Sequence, residues 1–166
     1  MAKIIHGYRQ SQPEVEGYPD KVRIYNGNTG DMLLYECTRF RTNPNPYKPS
    51  SGQPWTEVYA QIAPTGASGG ISWECLETPK HGRCIALNGM GPVPTTGPDP
   101  NNGDKFFAQA VLIHCGFSDT WSGSMACQTV FPADWGAFIS HFHLGEQGLF
   151  LLTDETVEDT IIQPLT

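Results

Sequence analysis

Phe106-Phe107-Ala108-Gln109-Ala110-Val111-Leu112-Ile113-His114-Cys115-Gly116 is the stretch on which the fold turns. The apolar run 108–113 reads as a buried strand, and residues 106–114 together as the best strand of the chain, delivering a histidine at its end. Downstream stands Ser122-Gly123-Ser124-Met125-Ala126-Cys127-Gln128-Thr129, a Gly/Ser-rich turn of the kind that presents a reactive atom. Residues 132–143 then read as a helix. Pro132 suits its first turn, and Trp135, Phe138, Ile139 and Phe142 recur at helical spacing. That apolar stripe is expected to lie on the sheet beside the Cys127 loop.

Outward from this segment the pattern is short strands separated by turns. Residues 21–25 and 32–41 flank Asn26-Gly27-Asn28-Thr29-Gly30, a hairpin turn whose Asn and Gly tolerate positive φ. Residues 57–62, 71–76, 83–87 and 148–153 read as further strands. Residues 42–54, with four prolines, and 89–103, rich in Pro and Gly, read as long surface loops, and the acidic 154–159 as a solvated turn. With 166 residues, no repeat and no linker, one domain over 1–166 is expected. Its 18 Gly and 14 Pro against 16% charged residues exclude long helices, and 11% aromatics exclude a disordered chain. The fold class is mainly β with one short helix.

A net charge of −7 argues against nucleic acid, whose affinity rests on Lys and Arg contacts to phosphate. No run of about 18 apolar residues exists, so no membrane span is expected. Residues 1–7 turn polar at once and lack the apolar core of a secretory signal, so synthesis in the cytoplasm is expected. Five cysteines occur without a Cys-x-x-Cys pair, which makes a structural zinc site improbable; no metal and no cofactor is implied. Two disulfides with one free thiol are arithmetically open, as is a fully reduced set.

His114 and Cys127 are the residues with chemistry in them. A thiol is a strong nucleophile only as its thiolate, and a histidine within reach can take that proton and return it to a leaving group. Alone, such a pair reads as a buried histidine and an inert core cysteine. The surrounding residues tip the balance. Ile113-His114 at a strand end, a loop, then Ser124 and Cys127 resembles the catalytic motif of the L,D-transpeptidases, the YkuD-like cysteine enzymes of peptidoglycan. The likeness runs from Phe106 to Phe142, and Gln128-Thr129 with Pro132 and Trp135 resembles phage-type relatives. Two positions depart from the family pattern, Met125 for its usual histidine and Ala126 for its usual glycine.

The resemblance implies an L,D-transpeptidase-like β-sandwich and a thioester acyl-enzyme on Cys127. It also implies His114 as general base, with the backbone carbonyl of Cys115 orienting its ring and backbone N–H groups of Ala126 and Cys127 as oxyanion donors. The activity would be transpeptidation, D-amino-acid exchange or carboxypeptidase cleavage of peptidoglycan stem peptides. Ser124, at the motif position, and Ser122 and Trp121, of the same loop, are candidate substrate contacts. For the two serines the competing reading is loop residues that satisfy backbone groups, and for Trp121 a half-buried aromatic. Cys115 itself points to the opposite face of the strand from His114 and is a poor candidate for its thiol partner. His141 and His143 have the wrong spacing for a metal pair on a helix, and His6 and His81 have no convincing partner in sequence.

An enzyme of this type without a secretory signal would act in the periplasm or cell wall after delivery by another route. An antibacterial effector, with an immunity or delivery protein as partner, or a phage wall enzyme would fit. Two other readings remain open at this point. One is a papain-like amidase using Cys84 with His141 or His143, although 83–87 reads as a strand and not as the start of a helix. The other is a non-catalytic binding module for cell wall or protein, with Trp55, Trp73, Trp121 and Trp135 as contact residues.

Overall fold

The computed structural model describes residues 2–35, 38–46, 51, 59–66, 69–123 and 126–155. Eleven strands and one helix are found there: β1 (Lys3–Arg9), β2 (Asp20–Asn26), β3 (Met32–Leu34), β4 (Arg39–Arg41), β5 (Ile71–Thr78), β6 (Gly82–Leu87), β7 (Val93–Asp99), β8 (Lys105–Ala108), β9 (Leu112–Cys115), β10 (Gln128–Val130), α1 (Pro132–Ile139) and β11 (Gln147–Asp154). The chain is mainly β, with its one described α-helix directly after β10.

The sheet runs β1-β11-β5-β6-β9-β10-β4-β2, and β2 pairs again with β1, so eight strands close into a barrel. This corrects the expected sandwich. Two stacked sheets would each keep two edges, whereas here β1 joins β11 in parallel on one side and β2 antiparallel on the other. β3 continues the edge of β2 that β4 leaves free, with Ile24 and Tyr25 against Leu34 and Met32.

Alternation fills the interior. Ile5, Ile24, Phe40, Trp73, Ile85, Ile113, Val130 and Phe150, one from each barrel strand, are buried in a common core. Each such side chain contributes about 2 kcal/mol relative to standing in water. Helix α1 adds Phe138, and Phe142 just beyond it meets Trp73 edge-to-face with ring centroids 5.1 Å apart. The helix ends at Ile139, short of the expected 143, because the chain turns there to carry Phe142 into the core.

Two further expectations are corrected. Residues 89–103 are not a loop throughout: β7 pairs with β8 as a ribbon outside the barrel, Val93 opposite Ala108 and Pro94 opposite Phe107. The Pro94 carbonyl accepts from Ala63, so its nitrogen faces away from β8 and costs the ribbon no ladder bond. Residues 106–114 are not one strand. Ala110 sits at φ 55°, a left-handed turn that sends β8 into the ribbon and β9 into the barrel wall. Of the expected strand 57–62, residues 57 and 58 lie outside the described residues, and Ile62 makes an isolated bridge to Thr95.

Candidate active site

β9 and β10 are parallel neighbours, with Ile113 opposite Gln128, His114 opposite Thr129 and Cys115 opposite Val130. A parallel pair cannot be joined by a tight turn, so residues 116–127 must travel back along the wall before β10 begins. That return brings Cys127 level with Leu112, whose N–H donates to Cys127 Sγ at 3.3 Å. Ile113 faces the barrel core, so Leu112 and His114 both face outward. Leu112 belongs to a small outer cluster with Cys84 and Ala86, against which Cys127 packs. His114 and Cys127 therefore stand on the same outer face of the wall, one outward position apart along β9.

The hydrogen bonds define the proton inventory. His114 Nδ1 lies 2.8 Å from the carbonyl oxygen of Cys115. A carbonyl only accepts, so Nδ1 carries the proton and Nε2 keeps its lone pair, the tautomer a general base needs. Cys127 Sγ in turn approaches the Ala110 carbonyl at 3.8 Å, a weak bond in which the thiol donates. Burial holds the His114 imidazole down to about 4, against the Cys115 hydrogen bond, with the positive charges of His81 and Lys80 adding to the effect. Burial pushes the Cys127 thiol up, while the Leu112 N–H and Lys80 pull it down. The resting pair is thus neutral imidazole and neutral thiol.

A second histidine attends the first. His81, from the β5–β6 turn, stacks on His114 with ring centroids 4.0 Å apart and planes 20° apart, and Phe117 meets both rings at 6.4 Å. The sequence carried no signal for this contact, because His81 and His114 meet only through the β6–β9 pairing. Lys80 lies over the Phe117 ring at 6.0 Å and so places a positive charge at the rim.

The loop that carries Cys127 is fastened from behind. Tyr18 donates its hydroxyl to the Ser118 carbonyl at 2.7 Å, in a space that exists because residue 116 is glycine: a Cβ there would fall 1.7 Å from the Tyr18 oxygen. Gly123, at φ 72°, likewise lies against Phe117, which stacks on Trp121 at 5.4 Å. Ser122 is fully buried, and its N–H and hydroxyl both donate to Asn45 Oδ1. Gln128 donates to the Thr42 carbonyl at 3.2 Å. Arg41 and Asp20 in turn anchor residues 42–45, Arg41 by donating to the Asn43 and Pro44 carbonyls and Asp20 by accepting from Thr42.

The proposed site residues therefore fall into distinct places. The Cys115 carbonyl holds His114 Nδ1, while Ala126 and Cys127 line a cavity that His114 does not line. Ser122 answers to its structural description, a loop residue satisfying polar groups. Trp121 stands half-buried behind Phe117, and Ser124 lies outside the described residues. Cys75, Cys84, Cys115 and Cys127 form no disulfide, and Cys37 lies outside the described residues.

Cys84 is fully buried in the outer cluster beside Cys127. His141 accepts a hydrogen bond from Lys3 at its carbonyl, and His143 donates its N–H to Glu146. Trp73 is sealed inside the barrel and unavailable to any partner, while Trp55 lies outside the described residues. Among the described residues no cluster of three or more His, Cys, Asp or Glu is set to hold a metal ion. No described helix is long and apolar enough to cross a membrane.

Compared with family models, curated proteins and solved structures, the chain matches none.

Proposed function

We propose that the protein is a peptidoglycan-modifying cysteine acyltransferase of the L,D-transpeptidase type, acting on stem peptides through a thioester on Cys127. One observation carries the chemistry: the Nδ1 bond to the Cys115 carbonyl leaves His114 with a basic Nε2 on the same outer face as a thiol that opens on a cavity. The choice of substrate rests on the motif around Ile113-His114 and Ser124-to-Cys127, not on the barrel, since a fold does not select a reaction.

In the first half-reaction Cys127 Sγ attacks the carbonyl of a stem-peptide amide while its proton passes to His114 Nε2. The tetrahedral oxyanion is held by the backbone N–H groups of Ala126 and Cys127. It collapses with cleavage of the C–N bond, and the departing D-amino acid takes the proton from Nε2. In the second half-reaction water or an amine gives its proton to Nε2 and attacks the thioester, releasing a cleaved, exchanged or crosslinked peptide and the thiol. On this reading the enzyme works in the periplasm or wall, delivered as an antibacterial effector or as a phage wall enzyme.

The intermediate is the direct test. Incubation with a defined stem peptide and rapid acid quench should give an intact-protein mass increased by the acyl group, mapped to Cys127 and absent from Cys127→Ala. An adduct on Cys84 or Cys115, or none with a substrate that is nevertheless consumed, would sink the proposal.

A further inference from the structure

Cys127 stands between two regions of opposite charge. On one side is the cavity, about 420 Å³ in volume, in which Asp99 is the one described lining residue with a formal charge. On the other is a ledge formed by Lys80, His81, His114 and Phe117. Phe117 is 54% exposed, and its ring centroid lies 6.4 Å from both imidazoles and 6.0 Å from Lys80 Nζ. Lys80 is exposed and forms no ion pair with any described residue. The chain carries 17 acidic against 10 basic residues, yet the charged side chain that acts on both His114 and Cys127 is Lys80. An uncompensated cation at the mouth of a site, in a protein otherwise acidic, draws anions to that mouth.

The leaving amine takes a proton from His114 Nε2 and the incoming nucleophile gives one back, so both occupy the histidine side of the sulfur. The amine side of the bond is therefore the ledge. An amino acid leaving a peptide C-terminus carries its carboxylate one carbon away from the departing nitrogen, and so does a free amino acid entering in its place. On the ledge that carboxylate meets Lys80, whereas on the cavity side it would face Asp99. Resting on the acyl-transfer reading above, we propose that Lys80 is the carboxylate anchor of the amine side and selects amino acids that carry a free carboxylate, both as leaving group and as acceptor. Phe117 supplies the apolar floor for their side chains. In the acceptor step the entering nitrogen forms the new C–N bond as the thioester C–S bond breaks, its proton passing through His114 Nε2 to Cys127 Sγ. An amine with no carboxylate beside it finds no anchor, so exchange of terminal amino acids outruns crosslinking to side-chain amines.

Two acid–amide pairs test this. The donors are a stem peptide ending in D-Ala and its C-terminal carboxamide; the acceptors are D-methionine and D-methioninamide, compared per unprotonated amine. The wild-type protein should prefer each acid by about fivefold or more in kcat/KM, and salt at about 0.5 M should narrow the preference, which a preference of shape would not do. Lys80→Met should bring the acid-to-amide ratio to within about twofold of unity, whatever happens to the overall rate, and Lys80→Arg should restore it. Equal use of acid and amide by the wild-type protein overturns the proposal without needing any variant. So does a preference that survives Lys80→Met, or a simple alkylamine that serves as well as D-methionine. The donor pair is also titrated into Cys127→Ala by calorimetry. Tighter binding of the acid, lost on adding Lys80→Met, with no turnover by the wild-type protein, would support the anchor and reject the acyl-transfer reading instead.

Discussion

His114 donates its Nδ1 proton to the carbonyl oxygen of its own neighbour, Cys115, at 2.8 Å, while the two side chains leave β9 on opposite faces. This single backbone contact fixes the tautomer of the base without a third side chain. The base is nevertheless weak, because the burial that seats the ring lowers its proton affinity more than this contact restores it.

The first consequence is a nucleophile that sleeps until substrate arrives. With the imidazole near 4 and the thiol pushed up, proton transfer within the resting pair is unfavourable. Alkylation of Cys127 by iodoacetamide should be slow at pH 7 and climb only above the ordinary thiol range. Lys80→Met should slow it further at every pH by removing a charge that favours the thiolate. A fast, pH-independent reaction between pH 5 and 8 would reveal a thiolate–imidazolium pair and contradict this description.

His81 sets the acid limit of that pair. Its ring covers His114, and its charge, with that of Lys80, opposes protonation of His114. His81→Ala should admit water and remove a neighbouring charge, both of which raise the His114 pKa. The acidic limb of kcat/KM should therefore move up from near pH 4 toward the usual imidazole range, with the plateau rate less affected. An unmoved limb would show that the stacking is packing alone.

Stability should follow the same proton. The unfolded chain binds a proton at a normal imidazole while the folded chain resists it to about 4, so the folded state is disfavoured as pH falls below about 6.5. The loss from His114 grows to about 3 kcal/mol by the time pH reaches its folded pKa, and is absent above the unfolded one. His6, His81 and His141 are also lowered and add to the slope. Urea unfolding between pH 4 and 7 should show a stability that rises with pH, with a visibly shallower rise in His114→Gln.

Gly116 is the weak point of the loop. Alanine there would set a methyl 1.7 Å from the Tyr18 oxygen, and Tyr18 is held edge-on against Phe131 at 5.3 Å. Gly116→Ala should cost about 1–3 kcal/mol and slow acylation, because the displaced tyrosine releases the Ser118 carbonyl. Tyr18→Phe should recover part of that loss in the double variant, a coupling readable from thermal or urea unfolding of the cycle.

Much of this was legible in residues 106–143 and little of it elsewhere. β5 alternates and β6 is a continuous apolar run between turns, both plain enough to read, and Pro132 with Trp135 and Phe138 announced the helix. β1 was missed because its inward positions are Ile5, Gly7 and Arg9, of which only the first looks like core. Gly7 stands there because a Cβ would meet the Phe40 ring at 3.0 Å, and Arg9 is buried on Thr42 and Ile62. β7 hid behind Pro94, Gly97 and Pro98, and barrel closure depends on the unread β1.

At the site, His114, Cys127 and the Cys115 carbonyl are close in sequence and could be proposed from it. His81, Asn45, Tyr18 and Asp99 reach it through tertiary pairing, for which a single sequence holds no pattern.

Transfer of stem-peptide acyl groups by Cys127 can be read directly from products. Defined muropeptides should be incubated with the protein and with Cys127→Ala under reducing conditions, and the products weighed by mass spectrometry. A terminal D-amino acid should be lost or exchanged, or a new crosslink should appear, in the wild-type sample alone. Muropeptides left unchanged by the wild-type protein, or changed equally by Cys127→Ala, would contradict it.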